Sequence, residues 1–306
     1  MCVGINALTL VVQVKPVVAQ QYQMIVIDCL DDPDETIRRK TLDLMFRMTN
    51  PSNVTVITER MISFLRSTTE EFIKKDLVAK ITQLAERYSP DNNWFMQTMN
   101  EVFELGGSLV RKDVVHNLMR LIAEGTEDED LDAQLRTDAV TSYLELLDRP
   151  RLPDVLVRQI CWVVGEYSYV LEDLDQEDIL EKMCSLLGRN YESLETISWV
   201  ITALTKLVSR LGHLPDHILN HVTTYVASSS TDIQQRCTEL FELIQVPEVL
   251  SEVLPLDASC EDLEVDGTLS FLDGYVTEAL QGGAVPYQQP HMRKENPIKQ
   301  KSGWNQ

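Results

Sequence analysis

Residues 31–50, "DDPDETIRRKTLDLMFRMTN", pass from an acidic turn through three basic residues into an apolar run at helical spacing. The opening reads as a helix entry. Asp32 stands at a cap position, Pro33 at the first helical position and Glu35 at the third, the order of a capping box. Pro33 loses nothing there, because the N–H it lacks has no intrahelical partner. The carboxylates also face the positive end of the helix dipole. Beyond the cap, Ile37, Thr41, Leu44, Met45 and Met48 recur at offsets of four, three, one and three, which is one buried stripe. Arg38, Arg39 and Lys40 lie mostly off that stripe, with Arg38 placed to pair back to Asp34. Pro51 then disfavours helical geometry at Asn50 and stops the helix. The unit is a capped amphipathic helix, and its buried face needs a neighbour.

The plan recurs. "STTEEFIKKDLVAKITQLAERY" (67–88) carries Thr68 and Glu71 as a second capping box and Phe72, Leu77, Ile81 and Leu84 among its apolar positions. Residues 131–147, 152–167, 193–208 and 229–244 follow the same pattern. Other apolar helices fall between them at 53–66, 91–106, 113–125 and 178–188. Helix pairs repeating at about forty residues are the HEAT or armadillo plan, in which each pair must stack on the next to bury its face. The expected fold is all-α, a HEAT/armadillo-like α-solenoid of stacked helix pairs, with a compact helical bundle as the alternative. The repeats end near Ile244, so the expected organisation is a solenoid over residues 1–245. An acidic, then Gly-, Gln- and Pro-bearing linker or tail follows over 246–306, largely disordered except for one short helix within "GTLSFLDGYVTEAL".

Charge narrows the function. The chain of 306 residues has a formal net charge of −21, which opposes binding to nucleic acid through phosphates. The acids are local: residues 246–278 hold nine Asp or Glu and no Lys or Arg. Six scattered cysteines without a CxxC pair read as reduced core thiols in the cytosol. "VGINALTLVV" is too short and polar to span a bilayer and lacks the basic residues of a signal peptide.

Chemistry is sparse. His213, His217 and His221 stand four apart; His217 and His221 share a helix face, while Pro215 places His213 before it. Two histidines at that spacing bind zinc only with further ligands, so a metal-dependent hydrolase is the least favoured reading. Cys161 sits in an apolar run as a core thiol. Trp94, Phe95, Trp162 and Trp199 lie on packing stripes, and Gly106-Gly107 and Gly282-Gly283 read as turns. No catalytic, cofactor-binding or metal residue is assigned, no cofactor is expected, and partner-binding residues stay unassigned.

Several strings carry a family resemblance. "IDCLDDPDETIRRKTLDLMFRMTNPSNVTVI" (27–57), "LAERYSPDNNWFMQTMNEVF" (84–103), "VVHNLMRLIAEG" (114–125) and "QICWVVGEYSYVL" (159–171) resemble the trunk of the adaptin large subunits. The last contains a Trp–Gly–Glu–Tyr element of alpha, gamma and epsilon adaptins. Over residues 3–244 the pattern is most similar to the epsilon adaptins of the fourth adaptor-protein complex. The resemblance implies a helical scaffold, not an enzyme, in a heterotetrameric vesicle-coat adaptor. Its implied partners are a beta large subunit, a medium subunit and a small subunit. Its implied location is cytoplasmic, peripheral on trans-Golgi network and vesicle membranes. "MCVGINALTL" reads as the middle of a trunk helix pair, so a fragment or short form is expected and no cargo residue is carried over. The competing readings are an unrelated HEAT-repeat scaffold or transport receptor, which typically lacks "CWVVGEY", and another adaptin of the gamma or alpha type.

Overall fold

A computed structural model describes residues 2–14, 16–125, 128–256 and 267–287, and divides the chain into two units, residues 1–260 and 261–306. The described residues form α-helices and short 3-10 turns, with no strand among them. The first unit contains α1 (Cys2–Val14), α2 (Pro16–Asp28), α3 (Glu35–Met48), α4 (Val54–Ser67), α5 (Glu71–Tyr88), α6 (Asn92–Gly106) and α7 (Lys112–Glu124). It continues with α8 (Glu129–Leu146), α9 (Asp154–Tyr167), α10 (Gln176–Cys184), α11 (Glu195–Leu211), α12 (Asp216–Thr223), α13 (Thr231–Leu243) and α14 (Pro247–Val253). The second contains α15 (Asp273–Gln281). The expected tail falls partly on residues 257–266 and 288–306, which lie outside the described residues.

Packing sorts the first unit into two layers. Odd-numbered helices neighbour one another, α1 on α3, α3 on α5, α7 on α9, α9 on α11 and α11 on α13; in the second layer α4 neighbours α6, α6 neighbours α8, and α10 neighbours α12. From α3 onward the odd helices begin at Glu35, Glu71, Lys112, Asp154, Glu195 and Thr231, steps of 36 to 42 residues. This is the expected solenoid, with one exchange. The sequence pattern grouped residues 131–147 with the opening unit and 113–125 with the intervening helices, and the structure reverses them. The acids before α8 imitate the acidic entry of an odd helix. Its layer is decided instead by the neighbours its apolar face meets, α6 beside it and α9 across the core.

One apolar cluster runs from Ile5 to Leu250 between the layers. The stripe of the opening stretch is buried as expected, with Thr41, Leu44 and Met45 at 0% exposure. Leu42, also 0% exposed, widens that stripe into the neighbouring helices. Each such aliphatic side chain contributes about 1.5–3 kcal/mol through burial.

The caps differ from expectation. The N-cap of α3 is Asp34, whose side chain accepts from the Thr36 N–H at 2.8 Å, while Asp32 Oδ1 accepts from the Asp34 N–H at 2.9 Å. Pro33 therefore lies in the turn ahead of the helix. Arg38 explains the shift: its guanidinium donates to the carbonyls of Asp32 and Pro33, both at 3.2 Å, and holds them outside the helix. The same group reaches Glu70 at 3.2 Å instead of pairing with Asp34. That contact also disposes of the second capping box. Glu70, not Thr68, is the N-cap of α5 and makes no side-chain cap bond. Phe72 is 65% exposed, with the Arg39 guanidinium 4.9 Å above its ring.

Basic residues thus bind one repeat to the next. Lys80 of α5 meets Asp43 of α3 at 2.9 Å, and Arg158 of α9 meets Glu195 of α11 at 2.8 Å. Arginines also satisfy the unpaired carbonyls at helix C-termini. Arg136 donates to Ile122 and Ala123 of α7, and Arg189 donates to Leu147 at the end of α8.

Candidate interaction surface

The Trp–Gly–Glu–Tyr element lies on α9, where it sets the contact with α11. A Cβ added at Gly165 would sit 3.2 Å from Ala203 Cα and 3.3 Å from Ala203 Cβ. Glycine therefore lets the two helices approach closely. Glu166, with 6% side-chain exposure, pairs with Lys206 of α11. Arg210, one turn further along α11, donates to the carbonyls of Gly165 and Glu166, both at 2.6 Å, and to Ser168 Oγ at 2.8 Å. Tyr167 is fully buried, with Arg136 4.9 Å above its ring and Trp162 edge-on at 5.8 Å. The element is a helix-crossing device built from packing and carbonyl capping.

Beside this crossing, α9, α11 and α13 leave a cleft of about 460 Å³. Trp162 of α9, Trp199, Thr202 and Lys206 of α11, and Asp232 and Arg236 of α13 line it. Trp162, expected as packing, is half-buried: it packs on the core and turns part of its ring to the cleft. Trp199 does the same, because a side chain as large as indole exceeds what the inter-helix layer can enclose. The charges of the cleft are already engaged. Arg236 meets Asp232 at 3.1 Å and donates to Thr202 Oγ1 at 2.6 Å, while Glu195 holds Arg158. Burial and the neighbouring Arg210 charge lower the Lys206 ammonium to about 8. Indole faces with a paired polar rim suit an apolar or aromatic side chain of another protein better than a reacting substrate.

The other singled-out residues fall elsewhere. Cys161 is 1% exposed, and burial pushes its thiol well above the ordinary range, so it is a core residue. Cys184 and Cys237 are buried free thiols, and Cys29 is half-buried. The side chains of Cys2 and Cys260 lie outside those described. His213 precedes α12, as Pro215 implied, and His217 and His221 lie on it. Each faces α10: His213 meets Glu177 at 3.0 Å, His217 meets Glu181 at 3.3 Å, and His221 Nδ1 lies 3.5 Å from Cys184 Sγ. These are separate rungs between two helices. No group of three metal-holding side chains occurs among the described residues, and no described helix is long and apolar enough to cross a membrane. Sequence reasoning missed the cleft; the paired Trp residues on α9 and α11 are the signal that points to it.

Comparisons with known proteins agree with this architecture. The sequence model described as "Adaptin N terminal region" matches residues 2–248. The human AP-4 complex subunit epsilon-1 is 44% identical over 99% of this chain, and the Arabidopsis thaliana AP-4 complex subunit epsilon is 42% identical over 93%. The Arabidopsis thaliana AP-1 complex subunit gamma-1 is 27% identical over 79%. The chain spans 27%, 31% and 28% of the lengths of these three relatives. With the two-layered helical stack and the family model covering most of its length, this chain belongs to the adaptin family.

Proposed function

We propose that the chain is part of the large-subunit scaffold of a heterotetrameric vesicle-coat adaptor complex of the AP-4 type, and that it binds protein chains without catalysing a reaction. The observation carrying this reading is the match to two AP-4 epsilon subunits over 99% and 93% of the chain. The Trp162–Trp199 cleft, with its charges paired among themselves, supports a surface that binds protein. On this reading residues 1–245 are trunk and 246–306 a linker or tail, except that its first helix, α14, packs Leu250 into the trunk core. The partners are beta, medium and small subunits. The complex acts in cargo sorting and vesicle transport from the trans-Golgi network, cytoplasmic and peripheral on its membranes, without cofactor or nucleic acid.

The test is co-expression with the beta, medium and small subunits of an AP-4 complex, followed by recovery through a tag on this chain. Recovery of at least one subunit in stoichiometric amount is the expected result. Soluble helical protein that recovers none of the three would refute the reading.

A further inference from the structure

The helices α1–α14 do not pack evenly from repeat to repeat. Along the odd row α1 lies on α3, α3 on α5, α7 on α9, α9 on α11 and α11 on α13. Between rows, α2 packs on α3, α4 on α5, α8 on α9 and α10 on α11. At the step from α5–α6 to α7–α8 neither kind of packing forms among the described residues. There, Asn117 of α7 reaches Glu86 of α5 through an exposed hydrogen bond of 2.9 Å. Each interface in a repeat stack contributes its own share of stability, so the thinnest one yields first.

Two elements bridge this step. Helix α6 packs on α8 and α9, and the 3-10 turn Gly107–Leu109 packs on α5 and α9. Adjacent glycines lead into the turn. A Cβ added at Gly106 would stand 2.8 Å from Val78 Cγ2, and Gly107 has a φ of +50°. The step also carries a cleft of about 680 Å³, lined by Glu71 and Lys74 of α5, by the turn, and by Arg151 and Pro153 ahead of α9.

The core at this step holds a polar group claimed from both sides. Tyr143 of α8 is fully buried and donates to Oδ1 of Asn100, on α6, at 2.8 Å. Gln159 of α9, also 0% exposed, lies beside the same hydroxyl. Neither of its amide atoms makes a well-formed hydrogen bond, and Asn100 Nδ2 makes none. A phenolic O–H has one proton to give. Given to Asn100, it ties α6 to α8. Given to Gln159, it closes between α8 and α9 and releases α6. Both amides are buried, where an unmade hydrogen bond is costly, so they compete for that proton.

We propose that the stack is jointed at Gly106–Leu109, so that α1–α6 and α7–α14 swing as two arms that open and close the cleft, with the Tyr143 hydroxyl as the catch. Hinges of this kind confine the backbone change to a few residues between rigid elements.

The experiment places p-acetyl-phenylalanine at two positions of the full chain, couples a nitroxide to each, and reads the distance distribution by double electron–electron resonance. The pair Lys74 and Arg151 spans the joint. Glu35 and Lys74 lie in one arm, and Arg151 and Glu192 in the other. None of the four is buried, so circular dichroism of the labelled chains should match that of the unlabelled one. The spanning distribution should be about twofold wider or more than either in-arm distribution. Gln159→Met is close in volume and leaves the proton to Asn100, so it should narrow the spanning distribution to the in-arm width. Tyr143→Phe has no proton to give and should leave it wide. A spanning distribution no wider than the in-arm ones overturns the proposal. A wide one that Gln159→Met leaves unchanged, or that Tyr143→Phe narrows, removes the catch and overturns it as well.

Discussion

Removing one partner of the Glu166–Lys206 pair, and then both, tests whether the α9–α11 crossing is held as described. Glu166 and Lys206 have side-chain exposures of 6% and 25%. Lys206→Met leaves the carboxylate in the helix crossing without the ammonium it pairs with. Breaking a buried pair in this way costs about 3–5 kcal/mol, because the surviving charge has lost both water and its partner. Lys206 is partly exposed, so the lower end, about 3 kcal/mol, is expected. Replacing both residues, Glu166→Leu/Lys206→Met, removes the charge with its desolvation penalty and should fall within about 1 kcal/mol of the wild type. Urea unfolding followed by far-ultraviolet circular dichroism reads the difference. If the single variant is as stable as the double, Glu166 is not the buried, Lys206-dependent charge described here, and the account of the crossing fails.

The remaining expectations concern the corners, the core and the cleft. Asp34→Ala should cost about 1 kcal/mol by uncapping α3, and an unchanged melting temperature would remove Asp34 from that role. Tyr143, 0% exposed, donates to Asn100 Oδ1 at 2.8 Å. Tyr143→Phe strands that acceptor in the core and should lower stability by about 1–3 kcal/mol; a change near zero would mean that Asn100 finds another donor. Trp162→Ala should cost about 2 kcal/mol, below the range for a fully buried indole, and a loss above 4 kcal/mol would contradict its half-burial. Gly165→Val should separate α9 from α11 and weaken the fold by more than Gly107→Ala. Gly107 has a φ of +50°, and its nearest neighbour to an added Cβ is Pro153 at 3.6 Å, so its strain stays local. Equal losses at the two sites in thermal unfolding would count against the close crossing.

The sequence by itself determined the helices, their approximate ends, the all-α class and the adaptin family. These are local properties: apolar offsets of three and four, capping acids, and prolines act over one or two turns. The stripe Ile37–Thr41–Leu44–Met45–Met48 could be read in that way because each residue's burial follows from its place on its own helix. Partners 30 to 45 residues away were not legible. Arg38 chose Glu70 over Asp34, Lys206 chose Glu166, and Arg210 capped α9, because stacking brings one repeat's charges over the next repeat's helix ends. The same holds for the exchange of α7 and α8 between layers. Their amphipathic patterns are alike, and only the neighbours available in the stack decide which row each joins. The cleft is of this kind too: Trp162 and Trp199 look like core residues one helix at a time, and become a surface because two indoles at one crossing are more than the layer between α9 and α11 can enclose.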